Sequence, residues 1–158
     1  MQKIVTYLWF DGRVEEALEF YTSLLPDSRV LSITNYSEVG PGSTDEIMFA
    51  TFELAGQRFT IVNGNSFFEP NAAMSLCINC EDQAEIDRLW DIMTTNGGSA
   101  SVAGWLTDRF GVSWQITSPR LQDMLASDDA AAVVRVTEAF MTMQKMDIAE
   151  LERAFRGE

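Results

Sequence analysis

Few side chains of this chain could take part in acid–base chemistry, because its 158 residues include no histidine. A Ser-His-Asp triad, a zinc site built on histidine and a histidine general base are therefore excluded. The groups that remain as an acid or a base in a small cavity are the thiol of Cys77 and a loop carboxylate such as Asp108.

The cysteines, Cys77 and Cys80, have the spacing of a redox or metal pair. Residues three apart on a strand face opposite sides, however, and a redox pair needs a helix N-terminus that lowers the thiol pKa. Cys80 lies just before a predicted helix, but Cys77 does not. Two buried free thiols are the favoured interpretation, and a reducing cytoplasm is the expected compartment.

Polar side chains recur on one face of two predicted strands. Ser113 and Gln115 point to the same side of the last strand, and Ser75 and Cys77 share a side of an earlier one. Helices are expected to cover the apolar faces, so that the polar faces line a cup where the sheet curls. Such a cup suits a small organic ligand. The alternative is a narrow, closed interior that these side chains fill.

Two tryptophans, Trp9 and Trp105, are candidates for stacking against that ligand, with a core position as the alternative. Asp108 and Arg109 could form a polar mouth, and a solvated turn pair is the favoured interpretation of these two residues. The predicted ligand-binding residues are Gln115, Ser113, Ser75, Cys77, Trp9 and Trp105.

The elements that must position these residues follow one order twice. In the first half, β-branched and aromatic runs predict strands, and an apolar stripe predicts a helix that Pro26 ends. Strands are predicted over 3–10, 29–36, 47–54 and 58–63, and the helix over 14–25.

In the second half, Asp82 is the predicted N-cap of a helix with Glu85 three positions later, and the helix stops near Gly97. A helical tail opens at Pro119. Strands are predicted over 73–79, 100–106 and 112–117, and amphipathic tail helices over 130–143 and 148–155.

The two halves can be aligned as a repeat. A shift of 69 residues places Tyr21 on Trp90 and Thr6 on Ser75, whereas a shift of 55 aligns the last strands. The difference of 14 residues is assigned to the loop 38–45. A duplicated βαβββ unit explains the alignment, and accidental recurrence of strand–helix–strand order is the alternative.

Three segments resemble the PhnB-like branch of the glyoxalase/bleomycin-resistance/dioxygenase superfamily: Tyr7–Tyr21, Cys80–Trp90 and, most specifically, Gly104–Ile116. The tail is similar to that branch as well. The resemblance implies an α+β, vicinal-oxygen-chelate fold in which two βαβββ modules form curled mixed sheets around a cavity, with a C-terminal helical extension. It also implies a homodimer. The stretch Asn63–Pro70 and Ala103 depart from the pattern of the branch.

Metal-dependent members of the superfamily place ligands on the first and last strands of each module. Carried over by alignment, these places fall on Thr6, Thr60, Ser75 and Gln115. Zn²⁺ and Fe²⁺ favour imidazole, carboxylate or thiolate donors, so the sequence predicts no classical metal site and no other cofactor.

Some members of the branch carry the name 3-demethylubiquinone-9 3-methyltransferase. The sequence gives that name no support, because the turn Asp11-Gly12-Arg13 lacks the glycine-rich pattern of a nucleotide-type methyl-donor site.

The formal charge of −13 argues against nucleic acid and anionic membranes as partners. No apolar run approaches the roughly 20 residues that span a bilayer, and the N-terminus does not resemble a signal peptide.

The sequence thus predicts a single cytoplasmic domain over 1–158, with modules at 1–66 and 72–118 and a tail at 119–158. Its predicted function is binding of a small organic molecule in a sheet-lined cavity, without a tightly bound metal. Three hypotheses stay open: an enzyme with a titratable group in the cavity, a sequestering binder with an apolar, aromatic-rimmed pocket, and an interaction protein whose cavity is filled.

Overall fold

The computed structural model describes residues 2–64 and 67–158, which form two compact units divided between Glu69 and Pro70. The end of the first predicted module, at residue 66, and part of the divergent stretch 63–70 lie outside the described residues. The first unit contains four strands and one helix within its described residues: β1 (Thr6–Phe10), α1 (Val14–Leu24), β2 (Arg29–Asn35), β3 (Ile47–Leu54) and β4 (Gln57–Asn63).

The first sheet has the strand order β1-β4-β3-β2, with β1 parallel to β4 and the other pairs antiparallel. Its core forms where the apolar side of α1 meets one sheet face. The ring of Tyr21 stacks on Phe52 with centroids 5.9 Å apart, and Phe52 stacks on Phe59 at 5.4 Å. These three aromatic side chains are buried, so this face of the sheet is closed by the helix.

The second unit repeats the order and adds helices. It contains β5 (Leu76–Asn79), α2 (Gln83–Thr94), β6 (Ser99–Ala100), β7 (Trp105–Thr107), β8 (Ser113–Thr117), α3 (Pro119–Leu125), α4 (Ala130–Thr142) and α5 (Ile148–Arg156). The sheet order is β5-β8-β7-β6, with β5 parallel to β8. The predicted cap of α2 is confirmed, because the Asp82 carboxylate accepts from the Glu85 N–H at 2.9 Å.

One predicted strand is wrong. Residues 100–106 form parts of β6 and β7, which pair antiparallel as a tight hairpin. The connection reverses the chain through Ala103 and Gly104, whose φ angles are +54° and +75°. Two consecutive residues in the left-handed region end an extended strand, and the hairpin supplies the fourth strand of the module.

The tail is tied to the second module by its segment 143–148. The Gln83 side chain of α2 donates to the Met146 carbonyl and accepts from the Ile148 N–H, both at 2.9 Å. The N–H groups of Ala103 and Gly104 donate to the carbonyls of residues 143 and 144 at 2.7 and 2.8 Å. The tail therefore holds the corner from which β7 begins.

The predicted α+β fold of two βαβββ modules with a helical extension is confirmed. The shift of 69 aligns the starts of the helices, Val14 with Gln83. The excess length of the first module is not confined to the loop 38–45, because β2 and β3 have 7 and 8 residues whereas β6 and β7 have 2 and 3.

Within the part of the chain that the structure describes, no helix is both long and apolar enough to span a bilayer.

Candidate functional site

The polar face of the second sheet carries a row of three side chains across β7, β8 and β5. Trp105 pairs with Gln115, and Gln115 pairs with Cys77, so all three point to the same side. The predicted alternation of side chains along β8 is confirmed, because Trp114 and Ile116 are buried on the opposite face of the sheet. The Gln115 amide nitrogen donates to the Ser75 hydroxyl at 2.9 Å, and this bond fixes the amide across two strands.

A depression of about 350 Å³ opens beside this row. Its lining comprises Ala72, Ser101, Val102, Trp105, Leu106, Thr107 and Ser113. Ser113 is only 5% exposed, and it pairs in register with Thr107. Among the described residues no hydrogen-bond partner of the Ser113 hydroxyl is found. Although the residue is nearly buried, its hydroxyl oxygen keeps contact with solvent at the depression, where it can bond to a polar atom of a ligand.

Two of the predicted binding residues, Trp105 and Ser113, line the depression. Gln115, Ser75 and Cys77 lie on the same polar face but are not part of its lining. The sequence missed Thr107 and the other lining residues, because it predicted one strand where the hairpin of β6 and β7 lies. The adjacent Ala103-Gly104 could have indicated that turn.

Trp9 belongs to the first unit. Its side chain is 38% exposed on the face of β1 opposite the α1 core, in edge contact with Phe68 at 5.4 Å. A Cβ on Gly64 would overlap the indole of Trp9, so the Gly64 backbone lies directly against this ring. Trp9 is therefore neither a core residue nor fully exposed.

Asp108 is not the solvated turn residue that the sequence favoured. It is 2% exposed, and one carboxylate oxygen accepts from the N–H groups of Phe110 and Val112 at 2.8 and 3.0 Å. The other oxygen accepts from the Trp114 indole at 2.8 Å. A carboxylate with these three donors holds the turn between β7 and β8.

The two thiols differ in exposure. The interpretation that both are buried is wrong for Cys77, which is exposed, and right for Cys80. Both are free, as predicted. Partial burial raises the pKa of Cys77, and burial, reinforced by the nearby Glu85 carboxylate, raises the pKa of Cys80 to about 12. Neither thiol is activated as a nucleophile, because a reactive thiol has a lowered pKa.

Comparisons with known proteins bear directly on this architecture. Residues 2–117 match the family model of 3-demethylubiquinone-9 3-methyltransferase. A solved PhnB protein from Bacillus cereus, which carries the same methyltransferase name, is 40% identical with a TM-score of 0.69, and the match covers 74% of this chain and 99% of that one. The chain belongs to this PhnB-like family.

Other solved structures extend the likeness. Protein PA1353 from Pseudomonas aeruginosa is 25% identical with a TM-score of 0.61, and the match covers 75% of this chain and 98% of that one. The fosfomycin resistance protein FosX from Mesorhizobium loti is 16% identical with a TM-score of 0.54, with 80% and 100% of the two chains covered. The FosX likeness shows the fold alone. No curated protein matches this chain.

The PhnB-like family model ends at residue 117, before α3 begins. The tail of three helices therefore lies outside the part of the chain that defines the family. The hydrogen bonds from Ala103 and Gly104 to the segment 143–148 join this added part to the family's own fold.

The residues at the carried-over metal-ligand places do not fit a metal. Thr60 pairs with Tyr7, whereas Thr6 pairs with Phe59 on the side of the α1 core, so the two threonines face opposite ways. In the second module the Gln115 amide is already bonded to Ser75. Among the described residues, no three Cys, Asp or Glu side chains gather where they could hold a metal ion.

The registers also correct the alignment of the first strands. Thr60 and Gln115 are equivalent by the shift of 55, and their partners in register are Tyr7 and Cys77. These partners are 70 residues apart, not 69. Thr6 is therefore equivalent to Leu76 rather than to Ser75, which explains why it faces the helix.

Proposed function

We propose that this PhnB-like protein binds a small organic molecule on the polar face of its second sheet, without a tightly bound metal. The observation that carries the proposal is the Ser113 hydroxyl, which lines the depression of about 350 Å³, keeps contact with solvent there and has no partner among the described residues. Trp105 lines the same depression and supplies an aromatic surface. An apolar wall with a few convergent polar groups is typical of small-molecule sites.

Binding without catalysis is the form of this function that the lining favours. None of the seven lining residues is titratable, and Asp108, the carboxylate nearest in sequence, is held by three donors. An acid or a base must reach the reacting atom directly or through one water, and this lining supplies neither. A sequestering role therefore has more support than an enzymatic one.

A thermal-shift screen of small neutral and charged organic compounds on the full-length protein tests the proposal. Compounds that stabilise the protein should lose most of their effect in Ser113→Ala and Trp105→Ala. Gln115→Ala tests whether the adjacent row belongs to the same site. Ser32→Ala, an exposed serine on β2 of the first unit, is the matched control and should leave the shifts unchanged.

Two results would contradict the proposal. A screen in which no compound gives a shift that depends on Ser113 or Trp105 would remove the small-molecule site and favour the interaction-protein hypothesis. Stoichiometric zinc or iron in the purified protein, with an activity that depends on it, would overturn the metal-free part.

A third result would point to a different function: binding of a nucleotide-type methyl donor would favour the methyltransferase activity in the family's name.

We also propose a homodimer as the working state. Several large apolar side chains of the first unit are exposed, among them Tyr7 at 68%, Ile33 at 54% and Phe67 at 82%. Exposed apolar groups of this size are common at protein interfaces. Sedimentation velocity over a range of concentrations tests the assembly, and a single species of about 17.7 kDa at all of them would contradict it.

A further inference from the structure

The lining of the depression in the second unit restricts the charge of its ligand. Four lining side chains are apolar (Ala72, Val102, Leu106 and the indole of Trp105), and three carry hydroxyl groups (Ser101, Thr107 and Ser113). None of them is charged. A charge placed against this lining would lose part of its hydration without an opposite charge in compensation, and such uncompensated desolvation is costly.

The two charged residues that follow Thr107 in the chain, Asp108 and Arg109, do not supply the missing charge. Asp108 follows Thr107 directly, but its two oxygens accept from the turn N–H groups and from the indole of Trp114. Arg109 does not line the depression. The chain as a whole carries a formal charge of −13, which further disfavours an anion. A cation finds no carboxylate in the lining to pair with.

The hydroxyl groups and the indole define what an uncharged ligand would need. A serine or threonine hydroxyl both donates and accepts, so Ser113 can bond to a ligand hydroxyl or carbonyl. Trp105 offers a flat apolar surface on which a ring can stack. The volume of about 350 Å³ lies near the lower end of the usual range for small-molecule sites, about 300–1,000 Å³, which suits one or two rings.

We infer that the ligand of this site is an uncharged molecule of one or two rings with at least one hydroxyl or carbonyl group, bound through Ser113 and Trp105. This inference rests on the proposed function, since it names the chemical class of ligand for the same site. It excludes phosphorylated, phosphonylated and carboxylated compounds as ligands of the depression.

Equilibrium dialysis of the full-length protein against two compounds of matched shape tests the inference. At pH 7, 2-naphthol is uncharged and 2-naphthoate is an anion. We expect 2-naphthol to bind at least about tenfold more tightly, a difference of about 1.4 kcal/mol. Ser113→Ala should weaken 2-naphthol binding severalfold, and the control Ser32→Ala should not change it.

A change in salt concentration distinguishes the effect of the uncharged lining on binding from the effect of the net charge of the protein. At about 0.5 M NaCl the long-range repulsion of an anion is largely screened, yet the preference for 2-naphthol should persist, because the lining still offers no cation. If 2-naphthoate binds as tightly as 2-naphthol and loses affinity in Ser113→Ala, the uncharged class is wrong while the site itself stands. If neither compound binds, the size and ring class is wrong, and the broader screen alone decides whether the site exists.

Discussion

A single carboxylate, that of Asp108, sets the turn that leads into Ser113. It is 2% exposed and accepts from two backbone N–H groups and the Trp114 indole. Asp108→Ala would leave these donors without an acceptor. Hydrogen bonds to a charged group contribute about 1.5–3 kcal/mol each, but losses within one network are not additive. We expect the variant to lower the free energy of unfolding by about 2–4 kcal/mol, measured by urea denaturation with tryptophan fluorescence.

Two comparisons make this prediction specific. Asp108→Asn should fall between wild type and alanine, because an amide keeps one acceptor oxygen but places an N–H₂ group against a donor. Asp128→Asn, at an exposed position, should change stability by less than about 0.5 kcal/mol. Equal stability of Asp108→Ala and wild type would show that the turn does not depend on this carboxylate.

Cys80 should make the stability of the protein depend on pH in the alkaline range. Its side chain is fully buried, and burial, together with Glu85, raises the pKa of the thiol from 9.0 to about 12. Above pH 9 the unfolded chain therefore loses the proton while the folded chain keeps it. The contribution of the protonated Cys80 thiol to the free energy of unfolding is therefore complete below pH 9, and it is lost as the pH rises toward 12.

We expect the free energy of unfolding to fall between pH 8 and pH 10 less steeply in Cys80→Ala than in wild type. Cys77→Ala should keep more of the wild-type slope, because the Cys77 side chain is exposed. Parallel pH profiles for wild type and Cys80→Ala would rule out this role for the buried thiol. Absolute stabilities do not decide the question, since removal of a buried sulfur also leaves a cavity.

At the scale of elements, the corner before β7 depends on Gly104. Its φ is +75°, and a Cβ there would lie 2.7 Å from the Ile116 carbonyl oxygen of β8. Gly56 has the same φ of +75°, but nothing lies within 4 Å of its Cβ position. The two glycines therefore separate backbone strain from a clash with a neighbouring strand.

We expect Gly56→Ala to cost about 1 kcal/mol, the strain of a left-handed alanine, and Gly104→Ala to cost about 2 kcal/mol or more. Only the second substitution should also weaken ligand binding, because Gly104 precedes Trp105 in the depression. Thermal melting gives the stabilities and the ligand-induced shift gives the binding. Equal losses of stability in both variants would mean that β8 moves away from the added Cβ at position 104 without a loss of stability.

The elements that the sequence predicted well are those with strong local signals. The stripe of α1 and the Asp82 cap of α2 give nearly the observed bounds, because periodicity and capping act within one helix. The hairpin of β6 and β7 was missed, because strands of 2 and 3 residues leave no alternation to detect.

The candidate site was predictable only in part for a related reason. Alternation along β8 placed Ser113 and Gln115 on one face, as the register confirms. Which of them lines a depression depends on the neighbouring strands. The turn that brings Thr107 beside Ser113 was predicted, but the hairpin of β6 and β7 that supplies the rest of the lining was not. Burial of Asp108 was missed for another reason: the turn was predicted, but its position does not indicate that the carboxylate bonds to the Trp114 indole of the next strand.

For the whole molecule, the imbalance of charge is the dominant electrostatic feature. The chain has 24 acidic and 11 basic residues, a formal charge of −13 at pH 7. Ion pairs such as Arg13–Glu16 and Arg120–Glu152 are exposed, and each contributes less than about 1 kcal/mol. Repulsion among the surplus carboxylates therefore outweighs these pairs.

Salt should accordingly stabilise the protein near neutral pH. Raising NaCl from low concentration to about 0.5 M shortens the screening length to a few ångströms, which weakens repulsion more than it weakens the few ion pairs. A gain of about 1 kcal/mol corresponds to a rise in Tm of about 2–4 °C for a chain of this size. Near the isoelectric pH of about 4.2 the same addition of salt should have no stabilising effect, because the net charge is then close to zero. A Tm that stays constant or falls with salt at pH 7 would show that the ion pairs, and not the surplus of carboxylates, govern the electrostatics of folding.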